Sequence, residues 1–344
     1  MSGAGEMKCF VTGASGFIGG NLVRELVRQG HSVRALLRDV SDLRGLDGLD
    51  SQHYETIRGD VLDKDSLKLG LKDCDWCFHV AASYHLWMPD YRPMFRTNVD
   101  GSQNVMEAAC AAGCSRIVYT STVGCIGITP ETGVSEPPAD ESLDPQPQNL
   151  TTAYKSSKWL AELKVREFIK KGAPIVVVCP TAPIGPCDVK PTPTGKVIVD
   201  FLKGEMPAFM ETGLNWVHVR DVAQGHILAA EKGRIGERYI LGNAEGNWMM
   251  KDTFTVLADI TGLRAPRVKI PYRVALMAAY VDETLSRFTG KHPRAPLAGV
   301  KMAAHRMFFN PAKAIRELGL PQTSPRQAFE DAIRWFRENG YVEN

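Results

Sequence analysis

The stretch TAYKSSKWLAE places Tyr154 and Lys158 four residues apart in a helix-like pattern, which puts both side chains on one face. A free phenol has a pKa of about 10 and is a poor base at neutral pH. An ammonium beside it stabilises the phenolate and lowers that value. Thirty-two residues before Tyr154, YTSTVG brings two hydroxyls, Ser121 and Thr122, to the end of an apolar run. A hydroxyl there can hold a substrate oxygen while the tyrosine exchanges a proton with it. Thr122, Tyr154 and Lys158 are therefore the candidate catalytic set, with Ser121 as a neighbouring substrate contact. Tyr-x-x-x-Lys is common by chance, so its weight comes from what precedes it.

What precedes it is KCFVTGASGFIGGNLVRELVRQG, a short apolar run that becomes a glycine cluster and then a helix pattern. In a strand-to-helix turn, Gly13 permits the bend and Gly16 lets the backbone approach a pyrophosphate. Gly19 lets the helix pack close to the strand, and the free N–H groups of the helix start face the anion. Gly13, Ser15, Gly16, Phe17, Ile18 and Gly19 are the candidate dinucleotide contacts. The second apolar run, VRALLRDV, ends in Arg38 and Asp39. An arginine at that point suits a ribose 2′-phosphate, whereas an acid suits a free 2′-hydroxyl, so NADP is favoured over NAD. Asp60 and Val61 in RGDVLD are placed to meet the adenine, and Ala81 and Ala82 in HVAA to pass beneath the cofactor. A nicotinamide moving a hydride at the carbon whose oxygen meets Tyr154 makes the reaction an oxidation or reduction.

These motifs need a scaffold. Strand-like runs at Lys8–Thr12, Ser32–Leu37, Tyr54–Arg58, Trp76–Val80, Arg116–Thr120 and Ile175–Cys179 alternate with helix patterns. The helices expected between them are Ile18–Gln29, Lys64–Leu71, Met94–Ala112 and Thr152–Lys171. This alternation predicts an α/β fold, a doubly wound parallel (Rossmann) sheet. After Cys179 the rhythm breaks at PTAPIGPCDVKPTPTG, too rich in proline and glycine for one regular element. Helices are again expected at Thr253–Thr261, Pro311–Leu318 and Pro325–Asn339. The expected division is a dinucleotide-binding domain over residues 1–180 and a smaller substrate domain over 181–344, with pieces able to return to the first.

The 344 residues are 44% hydrophobic and 23% charged, with a net charge of +2, which gives no case for a nucleic-acid partner. Eight cysteines sit mostly in apolar runs, which favours reduced thiols in a cytoplasmic protein. Cys74 and Cys77 lack a second pair with zinc spacing, so no metal is expected. No run is long enough to span a membrane. Val274–Val281 reads as half of an amphipathic helix, and Tyr272–Phe288 is the candidate for peripheral membrane contact.

TGASGFIGG, GDVLD, HVAA, RTNVDGSQNV, YTSTVG and YKSSK together resemble the extended short-chain dehydrogenase/reductase family, over almost the whole chain. The resemblance implies that Tyr154 is the acid/base and that Lys158 is its electrostatic partner, also bonding the nicotinamide ribose. It implies that Thr122 is the catalytic hydroxyl and Asn98 a structural asparagine. The loop Pro180–Pro186, with Pro180 and Ile184, would touch the nicotinamide carboxamide. Later stretches, among them AASYHLWMPD and HRMFFNPAKAIRELG, are similar to the hopanoid-associated sugar epimerase subgroup, with dihydroflavonol reductases and 3β-hydroxysteroid dehydrogenases as cousins. Arg220 stands where many relatives carry an acid. In many relatives the helices corresponding to Met94–Ala112 and Thr152–Lys171 pair two subunits, so a homodimer is an expectation.

Tyr84, His85, Trp87, Ile184 and Trp216, with Lys190 and Lys196 further along, are the residues expected to line the substrate site. Their character favours an apolar small molecule. One reading is a reductase or dehydrogenase acting on one alcohol/ketone carbon of a triterpenoid, sterol-like or lipid-linked substrate. The other is a sugar epimerase of hopanoid biosynthesis that keeps its NAD bound. A non-catalytic cofactor sensor is a third class, but it predicts a damaged Tyr/Lys pair, and here both residues are intact.

Overall fold

The structure, a computed structural model, describes residues 5–49, 52–128 and 137–342. Its first half runs β1 (Lys8–Thr12), α1 (Phe17–Arg28), β2 (Ser32–Leu37), β3 (Tyr54–Arg58), α2 (Lys64–Gly70) and β4 (Trp76–His79). Then come α3 (Arg92–Phe95), α4 (Gly101–Ala111), β5 (Arg116–Thr120), α5 (Ala153–Lys170) and β6 (Ile175–Pro180). The six strands pair in parallel in the order β3-β2-β1-β4-β5-β6. That is the Rossmann order, and its reversal between β1 and β4 opens a crevice at the carboxyl ends of the strands. Side chains alternate across the sheet. Cys9 and Val11 join Leu22 and Leu26 of α1 on one face, while Phe10 joins Leu67 of α2 and Val105 of α4 on the other.

The second half begins with β7 (Ala182–Ile184), α6 (Pro193–Leu202), β8 (Ala208–Phe209), β9 (Gly213–His218), α7 (Val219–Lys232) and β10 (Arg238–Leu241). It continues with β11 (Asn247–Met249), α8 (Met250–Thr261), β12 (Val268–Lys269) and α9 (Tyr272–Thr289). It ends with α10 (Leu297–Met302), α11 (Ala312–Leu318) and α12 (Pro325–Glu338). This half goes to two places. β10 adds a seventh parallel strand beside β6, and α7 packs on α1, so Ile227, Leu241 and Leu318 share the α1 core. The remainder builds a separate core around Trp216, Phe254, Phe329 and Phe336, with the small sheet β11-β9-β7 at its base.

The helix expected over Met94–Ala112 is interrupted. Between α3 and α4, Arg96–Asp100 forms a wider π turn, a feature that often marks a position with a job to do. Buried Asn98 sits in that turn. Its amide N donates to the Ser83 carbonyl at 3.0 Å and to Ser157 Oγ at 2.9 Å, and its oxygen accepts from the Ser83 N–H at 2.7 Å. One side chain thus ties the loop after β4 to the helix that carries Tyr154.

α9 buries Ala279, Glu283 and Ser286 but leaves Val274, Met277, Val281, Leu285 and Phe288 exposed along its opposite side, Phe288 by 86%. Among the described residues, no helix is long and apolar enough to cross a membrane.

Candidate active site

A cleft of about 1420 Å³ runs along the carboxyl edge of the large sheet and on between the two halves of the chain. A single-ligand pocket is usually about 300–1,000 Å³, so this one has room for a cofactor and a substrate together. Gly13, Ser15, Gly16, Phe17, Ile18, Gly19, Arg38, Asp60, Val61, Ala81, Ala82 and Pro180 all line it. Gly13 has φ +74°, and a Cβ there would stand 2.6 Å from the Ala81 nitrogen. At Gly19 a Cβ would overlap the Gly13 carbonyl oxygen, so both glycines are required by space. α1 starts at Gly16 with no side-chain cap and no acid in its first turn, which leaves its N–H groups for an anion.

The floor of this turn is a chain of hydrogen bonds. Ser102 Oγ donates to the Asn98 carbonyl, so it accepts from His79 Nε2, and His79 Nδ1 then accepts from Thr12 Oγ1. Burial holds the His79 imidazole down to about 3, which keeps it neutral and fixes that tautomer. At the far end, the Arg38 N–H donates to Ser41 Oγ at 3.0 Å, and its guanidinium has no partner among the described residues. Asp39 turns away to pair with Arg58 at 3.2 Å. Asp60 accepts the Leu62 N–H with one oxygen.

Thr122, Tyr154 and Lys158 all line the same cleft. The Tyr154 hydroxyl lies within electrostatic reach of the Thr122 side chain, and its ring lies 4.2 Å from that of Tyr84, centroid to centroid. Burial, followed by the Tyr84 phenol, pushes the Tyr154 phenol upward rather than downward as its spacing from a lysine suggests. The physical reason is where the lysine goes. Lys158 Nζ donates to the Thr120 carbonyl at 2.7 Å and to Tyr119 Oη at 3.2 Å, and lies 4.7 Å over the Tyr119 ring. Only 2% of Lys158 is exposed, and burial brings its ammonium down to about 8. The resting site therefore holds a protonated phenol, the state that can give a proton to a developing alkoxide.

Ser121 takes another role. Its hydroxyl donates to the buried Glu162 carboxylate, which Arg166 holds at 2.8 Å and Arg238 at 3.4 Å. Tyr84 and His85 line the cleft as expected. Trp87, Trp216 and Ile184 do not. Trp87 packs edge-on against His292, and Trp216 is wholly buried against Phe329 with its Nε1 donating to Thr253 Oγ1. Ile184 lies in the same core, because the inner face of the small sheet must be apolar. Lys190 lines the cleft, whereas Lys196 pairs with Asp200 on the outside of α6. Arg220 is exposed at the start of α7, away from the cleft.

Several lining residues escaped the sequence reading. Met206, Phe209, Met210, Leu214, Phe254, Ile270, Met302 and Met307 wall the region beyond Tyr154. The methionines of KGEMPAFMETG were the available signal, since flexible apolar side chains suit an adaptable pocket. Asp188 also lines the cleft. It accepts from Thr192 N and Oγ1, and burial lifts it to about 6.

A glycine-lined Rossmann crevice feeding a Thr/Tyr/Lys set defines an extended short-chain dehydrogenase/reductase site, and comparison with known proteins agrees. Residues 9–242 match the model of the NAD dependent epimerase/dehydratase family, and the chain belongs to it. A Synechocystis protein provisionally named dihydroflavonol 4-reductase is 44% identical over 97% of this chain and 96% of its own. Sterol demethylase protein B of Methylococcus capsulatus is 35% identical, covering 98% of this chain and 100% of its own. The crystal structure of gox2253 superposes with a TM-score of 0.84 at 42% identity, covering 98% of this chain and 100% of that one. The protein is thus an NAD(P)-dependent enzyme of the oxidoreductase/epimerase kind.

Two outcomes follow from the site. Tyr154→Phe should leave cofactor affinity nearly unchanged and lower kcat by about a hundredfold or more, the scale of a lost general acid; near-normal turnover would remove the phenol from that role. For reduction, kcat/KM should fall as pH rises through about 8, where Lys158 loses its charge. A flat profile across that range, read from NADPH oxidation with a sterol ketone, would contradict it.

Proposed function

We propose that the protein is an NADP(H)-dependent reductase or dehydrogenase acting on one alcohol/ketone carbon of a hydrophobic, sterol-like or lipid-linked molecule. The observation that carries this reading is the unequal lining of the cleft. Beyond Tyr154 the walls are mainly methionine, phenylalanine and aliphatic side chains, with Thr194, Thr212 and Asn215 among them, and the only lysines and arginines along the cleft's described lining are Arg38, Lys155, Lys158 and Lys190. Lys190 acts on Asp42 near Arg38, at the adenosine end. Lys158 is committed to the catalytic corner. A sugar diphosphate would need a cluster of cations that this chamber lacks, which weighs against the epimerase reading. The sterol name of the Methylococcus relative supports the same substrate class.

Bound nicotinamide would supply or accept the hydride. The chain's own residues do the rest. Thr122 Oγ1 holds the substrate oxygen, and the Tyr154 hydroxyl gives it a proton. The Lys158 ammonium opposes the negative charge left on the phenol. In oxidation the same proton returns to Tyr154. NADP is favoured over NAD because the Arg38 guanidinium has no partner among the described residues while Asp39 pairs with Arg58. Arg38→Ala should weaken NADPH about tenfold or more and leave NADH nearly unchanged, measured by fluorescence titration; equal losses would reject the phosphate assignment.

We also infer that the outer face of α9 meets an anionic lipid surface. Residues 264–294 hold seven lysines and arginines against two acids, in a chain whose net charge is only +2. Of the two acids, Asp282 accepts the Ala295 N–H and buried Glu283 pairs with Arg287, while Lys269 pairs with Glu211 outside the stretch. The exposed apolar row lies among these cations, and Val274, Ala275 and Ala278 of the same helix line the chamber. The protein should sediment with phosphatidylglycerol-containing vesicles, and the Met277→Glu, Phe288→Glu double variant should not; a wild type that ignores such vesicles would refute the contact.

A further inference from the structure

One cation in the chamber has no work in the machinery described above. Lys155 follows Tyr154 directly, in the first turn of α5. Only 3% of the residue is exposed, yet it lines the cleft. Its backbone N–H donates to the Thr152 cap, but its ammonium has no hydrogen bond, acid or ring partner among the described residues. The groups packed near it give no help. Its stem lies against Gly124, so that a Cβ there would stand 3.3 Å from Lys155 Cγ. The titratable neighbours are the Cys125 thiol, whose proton burial holds tightly, and His305, which burial first and then Lys155 disfavours as a cation. The other buried cations of this region are all satisfied: Lys158 by the Thr120 carbonyl, Arg238 by Glu162 and three carbonyls.

An ammonium at a cleft wall with little water around it and no partner among the described residues is unfavourable, and burial depresses its pKa here. Such a group adds nothing to the fold, so its partner should come from outside. Resting on the reductase reading, we propose that Lys155 recognises an anionic group, a carboxylate or a phosphate monoester, carried by the substrate next to its reacting carbon. The substrate is then amphipathic: an apolar body in the methionine-lined chamber and one anionic group at the Tyr154 corner. A single cation matches a single anionic group, and the positive end of α5 adds to the same field. Neutral ketones of equal size would fill the chamber and leave the ammonium bare, which makes Lys155 a specificity determinant rather than a member of the proton-transfer set.

The test is a binding measurement that needs no turnover. NADP-loaded enzyme is titrated calorimetrically with dodecanoate, dodecyl phosphate and dodecanol at neutral pH. At least one anion should bind about tenfold or more tightly than the alcohol, the scale of one hydrogen bond to a charged group. Which anion is preferred identifies the group. Lys155→Met should erase the preference and Lys155→Arg keep it, with NADPH affinity unchanged in both as proof of an intact fold. Absence of a preference in the wild type, through equal binding or through failure of either anion to bind, overturns the proposal, as does a preference that survives Lys155→Met. A failure of the reductase reading would appear elsewhere, as ketones that never oxidise NADPH.

Discussion

The site depends on one buried contact, the Lys158 ammonium against the Thr120 carbonyl at the end of β5. That bond draws the start of α5 onto the sheet edge, and with it Tyr154, while Thr122 emerges two residues after the accepting carbonyl. Its cost is visible in the ammonium itself, brought from 10.5 to about 8 by burial. A displacement of that size corresponds to about 3 kcal/mol of unfavourable burial of the charged form, stability that the fold regains only as pH rises from the folded toward the unfolded value. A cation is thus held there at the expense of stability.

Two polar networks keep that geometry from relaxing. Asn98 joins the loop after β4 to α5 from one side, and its own position requires the π turn between α3 and α4. From the other side, Glu162 collects Ser121, Arg166 and Arg238, and Arg166 and Arg238 reach Asp144 as well. Arg238 belongs to β10, so the seventh strand is fastened to the catalytic helix by charge as well as by its ladder to β6. Buried ionic groups of this kind are weak sources of net stability, but removing one member leaves the others bare, so the arrangement resists change.

The chamber is built differently. Its walls come from segments far apart in the chain: the loop around Met206 to Met210, α8, α9, α10 and the strand-like run at Met307 to Phe309. They present side chains of soft shape and little charge, against the rigid glycines and strand ends of the cofactor end. The glycine-lined end is specified by backbone and the methionine-lined end by side-chain volume. Enzymes on this scaffold can therefore share the first while differing in the second.

Local patterns sufficed for much of this. The first six strands, the glycine turn and the Tyr154/Lys158 helix are legible in the sequence because apolar runs, glycine geometry and helical spacing act over a few residues. The chain's tertiary course decided the rest. The lysine that should acidify Tyr154 is captured by a carbonyl 38 positions away, and Ser121 by a carboxylate 41 positions away. Trp216 and Trp87 read as pocket aromatics, yet they became core because long-range packing decides which face of an element is inside. The return of α7 and β10 to the first sheet, and the unpartnered ammonium of Lys155, had no local signature at all. Burial and pairing are properties of what surrounds a residue, and in this protein those surroundings come from segments remote in sequence.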